Sequence, residues 1–161
     1  MNCKGYRAQI GTSLLEVLIA VVVLSIGMLG LAGLQVAGLR VNQGALQRSQ
    51  ATILAYDILD RMRGDRTAAI EGDYDLYATV DGVDAPVPAD EIADLLNDNL
   101  SAWGEELGVV LPGAEGLVCR TNNPAVADCT DSGEFFVVRI GWNDENDRAT
   151  ERQLISVMGQ L

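Results

Sequence analysis

Within 161 residues there is room for one globular domain beside an apolar segment. The composition is acidic, with a net charge of −12, and it contains no histidine. Such a chain repels phosphate backbones, so nucleic acid is not expected as a partner of this domain. The usual general base and the usual transition-metal ligand are both missing.

In chain order, residues 1–11 hold two bases, Lys4 and Arg7, no acid, and a terminal Gly11. Thr12-Ser13-Leu14-Leu15-Glu16 follows, and from Val17 to Leu39 there is no charged residue. Those 23 positions suffice for one helix to cross a hydrocarbon core about 30 Å thick. Lys4 and Arg7 place the N-terminal end in the cytoplasm and the remainder across the membrane. An ordinary secretory signal is cut beyond its apolar region, whereas the obvious small residue here, Gly11, precedes it. Glu16 is costly at this place. A charged side chain at the bilayer centre costs about 2.5–3.5 kcal/mol on insertion scales, and less near an edge. A segment that only anchors would gain from Leu there. Glu16 therefore either snorkels to the interface or meets a cation inside the membrane.

The helix is predicted to run over residues 12–63, about 78 Å at 1.5 Å per residue. Its first half is apolar all round and rich in glycine, with Gly27, Gly30 and Gly33 open to close packing or local unwinding. From Val41 on it turns amphipathic. Ala51, Leu54, Ala55, Ile58 and Met62 recur at helical spacing and are expected to cover a core, while Arg48, Asp57, Asp60 and Arg61 face elsewhere.

Gly64-Asp65 ends this helix. Residues 67–89 read as polar, acidic and irregular, punctuated by Gly72, Gly82, Pro86 and Pro88. Their acids, Glu71, Asp73, Asp75, Asp81 and Asp84, lack the twelve-residue calcium-loop spacing and read as solvated charge. A second helix is predicted over residues 90–106, capped by Asp90, with Ile92, Leu95, Leu96, Leu100 and Trp103 on one face. Strands are predicted at 116–120, 135–142 and 151–158. The middle one should turn Phe136, Val138, Ile140 and Trp142 one way and Phe135, Val137 and Arg139 the other. Between the last two strands, Asp144-Glu145-Asn146-Asp147 reads as part of a hairpin turn. Cys119 and Cys129 bracket a polar loop. In an oxidising compartment two such thiols read as a disulfide, with free thiols the alternative. A small antiparallel sheet of three or four strands packed on the amphipathic half of a long helix fits these elements.

Gly11-Thr12-Ser13-Leu14-Leu15-Glu16 and the aliphatic run behind it resemble the class III leader of type IV prepilins. Thr12 stands where Phe or Met is usual at the mature N-terminus, and Gly33 stands where major pilins often have Pro. The resemblance implies an α+β, pilin-like fold. In it, a leader of residues 1–11, a transmembrane and assembly helix of 12–40 and a periplasmic globular domain of 41–161 follow one another. It implies that a prepilin peptidase cuts between Gly11 and Thr12 and methylates the new amine of Thr12, and that Glu16 pairs with the N-terminal amine of a neighbouring subunit. Other major and minor pilins, the inner-membrane assembly platform and membrane lipid are the partners so implied. Leu59-Asp60-Arg61-Met62-Arg63, Leu111-Pro112-Gly113-Ala114-Glu115-Gly116 and Val137-Val138-Arg139-Ile140-Gly141-Trp142 further resemble the PilV-type minor pilins, the type IV pilus modification proteins.

The expected role is that of a noncatalytic minor pilin that primes assembly, first in the inner membrane and then in the surface fibre. A minor pseudopilin of a type II secretion machine is the nearest alternative. An adhesin or ligand-binding module on a pilin anchor is a further one, although no aromatic or polar constellation suggests a pocket. Without histidine, and with no nucleophile–base spacing to name, an enzyme is not expected; neither is a cofactor or a resident metal.

Overall fold

Apolar residues at helical spacing drive one continuous helix, α1 (Leu14–Gly64), of 51 residues. The computed structural model describes residues 13–80, 83–123, 129–130, 132–143 and 152–161. The chain divides into two units, residues 1–41 and 42–161. In the first, the apolar side chains of α1 stand exposed.

The second unit is built on the amphipathic half of α1. Ala51, Leu54, Ala55, Ile58 and Met62 are buried, as their spacing requires, and Leu59 joins them. After α1 come α2 (Arg66–Glu71), β1 (Ala78–Val80), β2 (Val83–Ala85), β3 (Val87–Pro88), α3 (Ala89–Ala93) and α4 (Asp98–Val110). Then follow β4 (Glu115–Thr121), β5 (Phe135–Trp142) and β6 (Gln153–Gln160). The strands β3-β4-β5-β6 form a four-stranded antiparallel sheet in that order, and β1 pairs with β2 separately. This is an α+β, pilin-like layout: a long N-terminal apolar helix followed by a small antiparallel sheet.

One face of the sheet packs on α1. Phe136, Val138, Ile140 and Trp142 join the main core with Ile58, Leu59 and Met62. The alternation expected of β5 is present, but its other face is also covered. Val137 is buried with Leu117 and Cys119, and Tyr77 and Cys129 pack against them. Two glycines set close approaches. A Cβ on Gly116 would come within 2.6 Å of the Trp103 ring, so Gly116 lets α4 lie on β4. A Cβ on Gly159 would come within 3.0 Å of Leu59, so Gly159 seats β6 beside α1. Arg48 donates to Gln153 at the other end of that strand. From Arg48 to Leu59, α1 therefore runs in the same direction as β6 from Gln153 to Gly159.

Two expectations need correction. Residues 67–89 are not wholly irregular. They form α2 and three short strands, and they bury Tyr74 and Leu76. Leu76 exchanges backbone hydrogen bonds with Val118 at 2.7 and 2.8 Å, which draws this acidic stretch onto the sheet. The helix expected over 90–106 is two helices. Asn97 accepts from the Asn99 and Leu100 amides at 3.0 and 3.2 Å and so starts α4 afresh. Asp90 lies in the first turn of α3 and is not its N-cap. Ile92, Leu100 and Trp103 reach the core, whereas Leu95 and Leu96 fall in the break and are exposed. The turn expected at 144–147 lies outside the described residues.

Candidate assembly segment

Ser13 organises the first turn of α1. Its Oγ accepts from the Leu15 amide at 3.3 Å, and its carbonyl accepts from the Glu16 amide at 2.9 Å. Glu16 thus sits in the first helical turn, where the positive end of the helix dipole favours a carboxylate. Beyond it the helix has a mean hydropathy of 2.7 over its most apolar window, and none of that window is buried. Leu14 is 89% exposed and Leu29 73%. The single serine of the run, Ser25, donates to the Val21 carbonyl at 2.7 Å, so its hydroxyl needs no outside partner. Gly27, Gly30, Gly33 and Gly38 face open space, with no heavy atom within 4 Å of where a Cβ would stand. By length and composition this helix can cross a membrane.

Gly11 and Thr12, the expected cleavage and methylation positions, lie outside the described residues. Cys119 and Cys129 are joined in a disulfide with Cα atoms 5.5 Å apart. Cys119 is fully buried on β4, so the bridge ties Cys129, eight residues past the end of that strand, to the outer face of the sheet.

Polar contacts missed in the sequence hold the second unit together. Arg120 donates to Asp75 at 2.8 Å and to the Ile70 carbonyl at 2.9 Å, pinning the segment after α2 to β4. Arg61 bridges Asp57 at 2.7 Å and Glu106 at 2.8 Å, joining α1 to α4. Burial alone would lower the Arg61 pKa, but these two carboxylates raise it. Tyr74 is fully buried, and burial raises its pKa although Asn99 donates to its oxygen. Nothing local in the sequence pairs Arg120 with Asp75, which stand 45 residues apart.

Two concavities lie among the described residues of the second unit. One, of about 420 Å³, is lined by acids and exposed leucines, among them Asp73, Asp75, Glu91, Leu95 and Leu96. The other, of about 400 Å³, lies between Arg66, Glu134, Phe136 and Gln160. Neither contains a Ser, Cys or Thr beside a general base among its lining residues. Among the described residues, no three of Cys, Asp and Glu converge as metal ligands do.

The layout is thus pilin-like, with an exposed apolar N-terminal helix. Residues 6–32 match the family model of the prokaryotic N-terminal methylation motif, the type IV pilin signal. No curated protein and no solved structure matches the chain. The matched stretch includes Gly11, Thr12 and Glu16. Proteins with this motif are typically structural and not catalytic. In general they assemble with other pilins and are substrates of a prepilin peptidase.

Proposed function

We propose that this chain is a minor type IV pilin, a noncatalytic subunit that helps prime and build the pilus. The observation that carries the reading is the methylation motif at residues 6–32, with Glu16 in the first turn of a long helix whose next stretch, from Val17 to Leu39, is exposed and free of charge. The peptidase cuts between Gly11 and Thr12, and the amine of Thr12 is methylated. Residues 12–40 wait in the inner membrane while residues 41–161 fold on the periplasmic side. Glu16 then pairs with the N-terminal amine of a neighbour. An unpaired carboxylate in low dielectric is costly and a paired one much less so, so the pair fixes axial register in the fibre. The exposed apolar face of α1 in the second unit supports the reading. Leu46, Ile53 and Tyr56 all stand in solvent, opposite the buried stripe, and gain by covering in an assembly.

The test is Glu16→Leu and Glu16→Gln at normal membrane levels, with sheared filaments blotted for this subunit. Both variants should insert in the membrane and fail to enter filaments. Normal incorporation of Glu16→Leu refutes the pairing role.

A minor pseudopilin of a type II secretion machine is the second reading, because the same motif serves both machines. Deletion separates them: loss of surface pili supports the pilin, and loss of protein secretion supports the pseudopilin.

A further inference from the structure

We propose that the acidic concavity beside the α3–α4 corner docks a segment of a different protein, one that presents a Lys or Arg next to an aliphatic side chain. The floor of this concavity belongs to the core, since Leu76 and Leu100 line it and are buried. The corner above is tied down. Asn97 donates from Nδ2 to the Asp73 carbonyl at 3.1 Å while its Oδ1 caps α4. Ser101 donates to the Ala93 carbonyl at 2.6 Å, and the Leu95 amide donates to the Ile92 carbonyl at 3.1 Å. Held in this way, Leu96 is fully exposed and Leu95 partly so. Both line the concavity. Two adjacent leucines on a fixed rim are apolar surface that gains by being covered.

Charge names the occupant. Asp73, Asp75 and Glu91 line the same concavity, and they are not alike. Asp75 is bridged to Arg120 at 2.8 Å. Asp73 and Glu91 are exposed and make no ion pair among the described residues. No Lys or Arg is among the lining residues. A cation entering here meets two carboxylates without a counter-charge, and an aliphatic neighbour can lie on the leucines. A bare metal ion or a polyamine would leave those leucines uncovered. An anionic membrane surface is repelled by the same acids. A second copy is the poorer match. Each chain carries −12, so copies repel, and Arg61, Arg63, Arg120 and Arg152 are already bridged to carboxylates of their own chain. Neither the concavity nor its charge depends on the pilin reading above.

The test uses the full chain in its own cells, with Leu96→p-benzoylphenylalanine as a photocrosslinker and mass spectrometry of the adduct. The expected adduct joins position 96 to a peptide of a different protein in which a Lys or Arg adjoins an aliphatic residue. Asp73→Lys with Glu91→Lys should lower the adduct about tenfold or more, with the protein level and the Cys119–Cys129 disulfide unchanged. Asp73→Asn with Glu91→Gln serves where the lysines lower the level. Glu105→Lys, on α4 outside the concavity, should leave the adduct as it was. Replacing the partner's base by Glu should abolish the adduct with the parent chain and restore it with the lysine variant. A dimer of this chain, a lipid adduct, an adduct indifferent to the two acids or not regained on the swap, or no adduct overturns the proposal.

Discussion

Two tryptophans show how much one hydrogen bond decides. Trp103 is fully buried, and its Nε1 donates to the Leu54 carbonyl at 2.9 Å. Trp142 is equally buried, yet its Nε1 has no hydrogen-bond partner among the described residues. Trp103→Phe forfeits a net bond of about 0.5–1.5 kcal/mol as well as ring contacts. Trp142→Phe removes a buried donor that is already unsatisfied, so part of its packing loss is returned. Urea denaturation should therefore find Trp103→Phe the more destabilised variant, with m unchanged in both. Tyr74 gives a pH prediction. Burial raises its folded pKa above the ordinary 10.0. The unfolded phenol ionises first, so the stabilisation is full below pH 10.0 and is lost as pH rises from there through the folded value. Tyr74→Phe should flatten the stability profile of the protein above about pH 10. An equal slope in variant and parent would contradict this.

Among the elements, α1 and β5 were legible because their patterns are long. The stripe from Ala51 to Met62 and the alternation from Phe135 to Trp142 each recur enough to outweigh local noise. Residues 67–89 were not legible, because what orders them is distant: the ladder from Leu76 to Val118 and the ion pair from Asp75 to Arg120. Their local composition of acids, glycine and proline gives no hint of either. The break before α4 left a signal in Asn97-Asp98-Asn99, a cap sequence, but the apolar spacing across it reads equally as one helix. In the candidate site Glu16 stood out because a charge inside an apolar run is expensive, and the disulfide because only two cysteines follow the apolar run. The outer cluster of Leu117, Cys119 and Val137 gives the disulfide its role. Closing a loop of ten residues stabilises by roughly 2–3 kcal/mol in the chain-entropy model. Cys119→Ala with Cys129→Ala should lower the unfolding free energy by about that amount and leave β5 and β6 paired. Hydrogen exchange of their amides would reveal any loss of the ladder.

For the whole molecule the first measurement is mass. The chain recovered from membranes should begin at Thr12 and carry one added methyl. A chain that begins beyond residue 39 would mean an ordinary secretory signal and would sink the pilin reading.

The pairing of Leu59 with Gly159 has a consequence for synthesis. The inner face of α1 emerges early, but its cover on β6 emerges 100 residues later. At about 5–20 residues per second, that interval lasts roughly 5–20 s. In the pilin proposed above, Ala51, Leu54, Ile58 and Met62 would cross the membrane in that interval with part of their core still in the ribosome. Contacts this remote in sequence also close slowly once the chain is complete. On that topology the stripe stays uncovered for as long as the last strand is missing. Slowing translation late in the chain should then expose this protein to periplasmic proteases, whereas slowing it within the first 40 codons should not.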